Sequence, residues 1–175
     1  MLKKSNFKLP PEFFVKVLRD YNDWKQAWIR EVLQNSIDAG SKKIEITTSF
    51  ENDIFTIKVK DNGKGMSLDV LENGFMALGG SSKDNDQEDN TGGFGVASMM
   101  IAQSHIDYTI RSSDYICKGS KGTYTVESAS DVEGCEITVR MDKKSFSSFV
   151  NPNEIMRLKI GQWSNYSSVD NLEIT

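Results

Sequence analysis

Apolar positions recur at helical spacing over residues 11–39, with a break near Tyr21-Asn22-Asp23. Two helices are predicted, the second opened by Asp23 as its N-cap, running to Ala39 and stopped by Gly40. The period then shortens to two. Residues 43–48 and 54–59 alternate around Glu51-Asn52-Asp53, which predicts a β-hairpin. Leu68, Leu71 and Phe75 return to helical spacing and predict a short helix from near Ser67. From Gly79 to Gly93 apolar residues nearly vanish among Gly, Ser, Asp and Asn, so the stretch reads as a mobile loop, and 96–103 then reads as a buried helix. Three or four strands follow at 105–112, 115–118, 122–127 and 135–141, divided by polar turns such as 130–134. Beyond Phe149, Pro152 and a short helical pattern over 154–159 read as an extension. Helices gathered early and between strands, with a meander late, predict an α+β two-layer sandwich: a mixed, mostly antiparallel sheet with helices on one face.

Composition narrows the class. With 175 residues, 38% hydrophobic positions and 13 glycines, the chain is a folded domain with a real core, and general disorder is excluded. We read a main domain over 1–145 and an extension, or the start of a truncated second domain, over 146–175. No apolar run approaches the roughly 20 residues of a membrane span. Ser5, Asn6, Lys8 and two prolines follow Met1-Leu2-Lys3-Lys4 where a secretory signal would be apolar, so a cytoplasmic protein is expected. Cys117 and Cys135 lack metal-ligand or CxxC spacing and read as reduced thiols in strands. A net charge of -4 disfavours direct nucleic-acid binding by this chain alone.

Three stretches carry candidate chemistry. The first is Arg30-Glu31-Val32-Leu33-Gln34-Asn35-Ser36-Ile37-Asp38-Ala39. At about 100° per residue, Glu31, Asn35 and Asp38 fall in one stripe, with Ile29, Val32, Leu33 and Ser36 on nearly the opposite face. The polar three alone describe a solvated helix side as readily as a site. Trp24, Ala27 and Trp28 share their stripe one to two turns earlier, which reads as a partly covered site. The second stretch is Asp61-Asn62-Gly63-Lys64-Gly65-Met66, directly after a strand. It is either another hairpin turn, or a place where Asp61 accepts a hydrogen bond from a ligand amino group while the glycines let the chain turn against that ligand. The third is Thr91-Gly92-Gly93-Phe94-Gly95-Val96, a glycine-rich entry into a helix whose unpaired N–H groups suit a phosphate chain, or simply a flexible loop. Neither a P-loop nor a dinucleotide fingerprint fits, because Lys83 is followed by Asp84 and the third glycine position is Leu68 or Ser98. The acidic run 84–89 is no EF-hand, since Asp89 holds the glycine position.

In this order, Glu31-x3-Asn35-x2-Asp38-Ala39, Asp61-x-Gly63-x-Gly65 and Gly92-Gly93-Phe94-Gly95 resemble the GHKL ATPases: gyrase B, the heat-shock chaperone ATPases, histidine kinases and MutL. The first box alone is expected by chance in roughly one chain of this length per thousand. The resemblance spans about residues 12–141; its flanking residues look most like the MutL and Microrchidia (MORC) branches, and Gly93-Phe94-Gly95-Val96 like the chaperone branch.

The resemblance implies a Bergerat fold with ATP between the helices and a mobile lid at about 79–93. It implies that Glu31 activates water and that Asn35 coordinates Mg²⁺. It places Asp61 on the adenine amino group with Gly63 and Gly65 beside the base, and Gly92, Gly93, Phe94 and Gly95 on the phosphates. Asp38, Ala39, Met66, Val96 and Cys135 are expected along the nucleotide as flanking positions of the same boxes. Lys83, after Ser81-Ser82, matches a Ser-Lys or Thr-Lys element near the nucleotide, or is a solvated lysine. Four carboxylates follow it before Asn90, so 84–89 are expected to swing outward.

Three departures stand out. The family's Gly-Thr, whose hydroxyl supports the adenine aspartate, is Gly134-Cys135 here, a weaker donor, with a water or Thr138 as possible substitutes. The glycine after Gly-Phe-Gly-Val is Ala97. The lysine that MutL- and gyrase-like members supply from a following domain has no counterpart expected here. The reading is Mg²⁺-dependent ATP or ADP binding and slow ATP hydrolysis that gates a homodimer or an effector protein. A non-catalytic nucleotide-sensing module and an anti-sigma or histidine-kinase type of protein kinase are the alternatives. His105, Trp163 and Tyr166 read as structural.

Overall fold

The computed structural model describes residues 24–77, 97–98, 100–101, 106–120, 123–142, 161 and 172–175. The helix predicted before residue 23, the 79–93 loop and the 154–159 helix lie outside them.

The helix after Asp23 forms as α1, Trp24–Asp38. Its end is a Schellman cap: Gly40, at positive φ, donates N–H to Ile37 O at 2.8 Å, and Ser41 N–H reaches Ser36 O at 3.1 Å. The chain then runs through β1 (Lys43–Glu51) and β2 (Ile54–Asp61). Glu51 pairs Ile54, so the connection is the two-residue loop Asn52-Asp53, both at positive φ as a primed turn requires.

The helix expected from Ser67 is tight at its start and wide afterwards. Leu71 N–H bonds Ser67 O at 2.9 Å, but Met76 N–H bonds Leu71 O, five residues back, and Val70–Phe75 is a π-helical turn. Leu71 is buried in the core. Ala97, Met100 and Ile101 are likewise buried, as predicted for the helix over 96–103.

The late meander differs most from the sequence reading. Its strands merge into two, β3 (Asp107–Ser120) and β4 (Thr123–Asp142). The polar stretch 130–134 is absorbed as an irregularity in β4: Ser112 pairs Cys135, but Ser113 pairs Val132 and Tyr115 pairs Ser128. Alternation is lost there, which is why periodicity alone reads a turn. Ser113 takes a positive φ, and β3 curls until the Tyr108 ring lies over Gly119 and Ser120 Oγ donates to Ile106 O at 2.7 Å.

The sheet order is β3-β4-β2-β1-β5, with β5 (Glu173–Ile174) parallel to β1 and all other pairs antiparallel. The sheet is open, mixed and mostly antiparallel. Ile44, Phe55, Ile57, Val59, Ile137, Val139 and Met141 from its inner face meet Trp28, Ile29, Val32 and Leu33 of α1 in one core. On the other face Glu45, Lys60, Glu136 and Arg111 form a row of alternating charge across β1, β2, β4 and β3, and Lys58 pairs Glu136 at 2.8 Å. That face is solvated, so helices cover the other one. The architecture is the expected α+β arrangement.

Candidate functional site

The site is built where α1 ends, β2 ends and the β3–β4 pair bends. Asp61 closes β2 on the core side of the sheet and is only 7% exposed. A carboxylate this enclosed needs donors. Ser36 Oγ–H donates to its Oδ2 at 2.9 Å, while Ser41 Oγ–H at 3.2 Å and the Gly63 N–H at 2.9 Å donate to Oδ1. A carboxylate offers about four acceptor positions. Among the described residues, Oδ1 is therefore filled and the remaining position is on Oδ2. A further group that meets Asp61 there must be a donor.

The loop after Asp61 is pinned along its length. Asn62 Oδ1 accepts from the N–H groups of Lys42 and Lys43 at 2.9 and 2.8 Å, and Lys64 N–H donates to Ala39 O at 3.1 Å. Gly63 lies so close to the end of α1 that a Cβ would fall 2.6 Å from Ser41 Oγ and 2.9 Å from Ala39 Cβ. Gly65, at positive φ, would bring a Cβ to 3.0 Å from both Gly134 O and Ser112 Oγ. Both glycines are close-approach positions. Met66, partly buried against the core, donates its N–H to Ser112 Oγ at 2.7 Å.

Cys135 stands across from Asp61 in the β2–β4 register. Burial, and next the Asp61 carboxylate, push its thiol well above the usual range, against a smaller opposite pull from Ser112, so it stays a protonated S–H. Thr138 is not a substitute for the missing threonine hydroxyl. It is an odd number of residues from Cys135 and lies on the solvated face, paired with Lys58 and Thr109. The hydroxyls that hold Asp61 come from the helix side, Ser36 and Ser41.

On α1, Glu31 and Asn35 stand one turn apart and partly exposed. Arg30 Nη2 and Nε hold Glu31 Oε1 at 2.9 and 3.3 Å. Asp38 accepts from Gln34 Nε2 at 2.9 Å. Ala27 and Trp28, which share this stripe, are buried, so the N-terminal part of the polar side is covered. The structure thus brings Ala39, Asp61, Gly63, Gly65, Met66 and Cys135 into one cluster, with Glu31, Asn35 and Asp38 on the adjoining helix. Lys83, Gly92, Gly93, Phe94, Gly95, Val96 and the 79–93 lid lie outside the described residues.

Ser36, Ser41 and Ser112 do not stand out in the sequence. The one available signal is Ser36 in the apolar stripe of Ile29, Val32 and Leu33, because a buried hydroxyl requires a partner.

The family model described as Histidine kinase-, DNA gyrase B-, and HSP90-like ATPase matches residues 25–156. The chain belongs to this ATPase family. The matched span of this GHKL-type domain contains nearly all of α1, β1 to β4 and the whole Asp61 cluster. Comparison with curated proteins gave no match. Family membership makes this an ATP-binding type of domain, and its residues fit such a ligand: a near-buried carboxylate with one acceptor position left open among the described residues, next to a loop whose two glycines let its backbone lie tightly against the end of α1 and against Gly134 and Ser112. Among the described residues, no group of three or more His, Cys, Asp or Glu could hold a metal by itself, and no helix is long and apolar enough to cross a membrane.

Proposed function

We propose that the domain binds ATP with Mg²⁺ and hydrolyses it slowly, and that the nucleotide state gates dimerisation or an effector protein. The observation that carries this reading is Asp61: enclosed, gripped by three donors among the described residues, and left by them with one acceptor position on Oδ2 for an adenine amino group. Guanine presents a carbonyl oxygen at the equivalent place, which a carboxylate repels, so the same geometry supports a preference for adenine. Gly63 and Gly65 flank the base, with Met66, Ala39 and Cys135 around it.

Glu31 orients the attacking water, and the Asn35 side-chain oxygen is a hard donor suited to Mg²⁺, which takes few protein ligands and completes its shell with phosphate oxygens and water. When bound, the cation neutralises charge on the phosphates. Lys83 and Gly92 to Gly95 supply the remaining phosphate donors in this reading, with Val96 beside them and Asp38 beside Asn35. The flanking residues of the first box favour the MutL and MORC side of the family, and the expected location is the cytoplasm.

One observation favours a second reading. Arg30 already holds one oxygen of Glu31, as it would in a module that binds nucleotide and does not turn it over. Titration with ADP is the first test. The native protein is expected to bind and Asp61→Asn to bind far more weakly; no measurable binding by the native protein removes the proposal. Glu31→Ala is expected to keep ADP affinity and lose single-turnover hydrolysis. Normal hydrolysis by Glu31→Ala would show that Glu31 is not the base, and absence of hydrolysis in the native protein would leave the sensing module.

A further inference from the structure

The Ser112 hydroxyl is fully buried on β3, a strand that carries none of the family's boxes. It accepts the Met66 N–H at 2.7 Å and donates to the Gly134 carbonyl at 2.9 Å. Both partners need it. Met66 is the last residue of the glycine loop, and it has left the β2 ladder, so no strand neighbour takes its N–H. Gly134 lies between Cys135 and Val132, the residues that pair Ser112 and Ser113, so the β4 irregularity removes its carbonyl from the ladder.

Ser112, Cys135 and Asp61 occupy one row across β3, β4 and β2. From the end of β2 the glycine loop crosses above Gly134 to reach Ser112. Its near end is held by Ser41, Ala39 and Asn62 contacts, as described above. Its far end has the Ser112 hydroxyl, against which Gly65 is also pressed. Gly63 holds its own end through its N–H to Asp61 Oδ1 at 2.9 Å, whereas Gly65 has no side chain with which to anchor the far end.

We propose that Ser112 is a positioning residue for nucleotide binding, fixing the height and tilt of the Gly63–Gly65 loop under the base. This rests on the reading of Asp61 and its loop as the base-binding side of the ATP site. Ser112 touches no nucleotide atom in this account and acts through Met66 N–H and Gly134 C=O. Removing the hydroxyl leaves a donor and an acceptor unmatched at once, and the loop shifts to find new partners. The cost falls on ligand affinity as well as on folding.

The experiment compares native protein, Ser112→Ala and a control, Cys117→Ala, which truncates a buried side chain on the outer half of the same strand. ADP dissociation constants are measured well below each melting temperature, and the Met66 amide is followed by ¹⁵N NMR. For Ser112→Ala the expected result is about a tenfold weaker ADP affinity, the loss expected from one hydrogen bond, with a displaced Met66 amide resonance. Cys117→Ala is expected to melt lower while keeping native affinity and the native Met66 resonance. Native-like ADP affinity in folded Ser112→Ala overturns the proposal, as does an equal loss of affinity in both variants. If Ser112→Ala does not fold, Met66 amide protection in the native protein decides: an amide that exchanges at the unprotected rate overturns the anchor, and a protected one supports it. Failure of the native protein to bind ADP would instead remove the ATP-site reading beneath it.

Discussion

Replacing Ser36 by Ala tests whether the helix side holds Asp61. The substitution removes one oxygen from a side chain that is 3% exposed and leaves almost no cavity, so its effect is electrostatic. The lost bond is a hydroxyl donating to a carboxylate at 2.9 Å, a class worth about 1.5–3 kcal/mol when one partner is charged. Alanine returns about 0.5 kcal/mol through its better helix propensity. The net expected loss is about 1–2.5 kcal/mol. Urea unfolding gives this number, and a double-mutant cycle with Asp61→Ala isolates the contact. In the Asp61→Ala background Ser36→Ala should cost almost nothing, giving a coupling above about 1 kcal/mol. A coupling below about 0.5 kcal/mol would refute the claim that Ser36 orients Asp61. Ser41→Ala is the internal comparison: its bond is longer, at 3.2 Å, and Oδ1 keeps the Gly63 N–H, so the coupling should be smaller.

Three further outcomes follow from the same geometry. Gly134→Ala should cost more than about 3 kcal/mol, because a Cβ at φ +69 would lie 2.1 Å from the Asp61 carbonyl oxygen; a melting temperature within about 2 °C of native would contradict this. Burial pushes the Cys117 thiol up to about 11 from 9.0, so the folded state holds its proton more tightly than the unfolded chain. That contribution is complete below pH 9 and is lost as pH rises to about 11, on the order of 2–3 kcal/mol; unfolding titrations in reductant should show a shallower alkaline decline for Cys117→Ala than for native protein. Asn62→Ala should cost about 1 kcal/mol, since two solvent-near amides lose one acceptor; hydrogen exchange should quicken at Lys42 and Lys43 and stay unchanged at Val59.

The helix and hairpin were legible because their residues bury one face each and local sequence carries the period. Ile29, Val32 and Leu33 mark the inner stripe of α1, and Phe55, Ile57 and Val59 that of β2. The β3–β4 pair was not legible. Its irregularity interrupts alternation at 130–134, and long-range pairing, not local pattern, continues the strand through it. The π-helical turn was equally hidden, since Leu71 and Phe75 satisfy an α spacing while the backbone bond skips to the fifth residue.

By itself, the order of residues determined the candidates for the proposed site: Glu31 and Asn35 at helical spacing, Asp61 at a strand end, and Gly63 and Gly65 shortly after it. These are short-range relations, set by the rise and turn of single elements. What only the tertiary structure decided is who holds Asp61 and where the glycine loop rests. Ser36 and Asp61 are 25 residues apart, and Met66 and Ser112 are 46 apart. Such hydrogen bonds exist only once the helix lies on the sheet and the strands are in register, because burial then makes an unpaired hydroxyl or carboxylate costly and forces each to find a partner. The Cys135 in place of threonine looked like a weakness along the chain. In three dimensions its neighbour Asp61 is held from the opposite side, by two serines of the helix end.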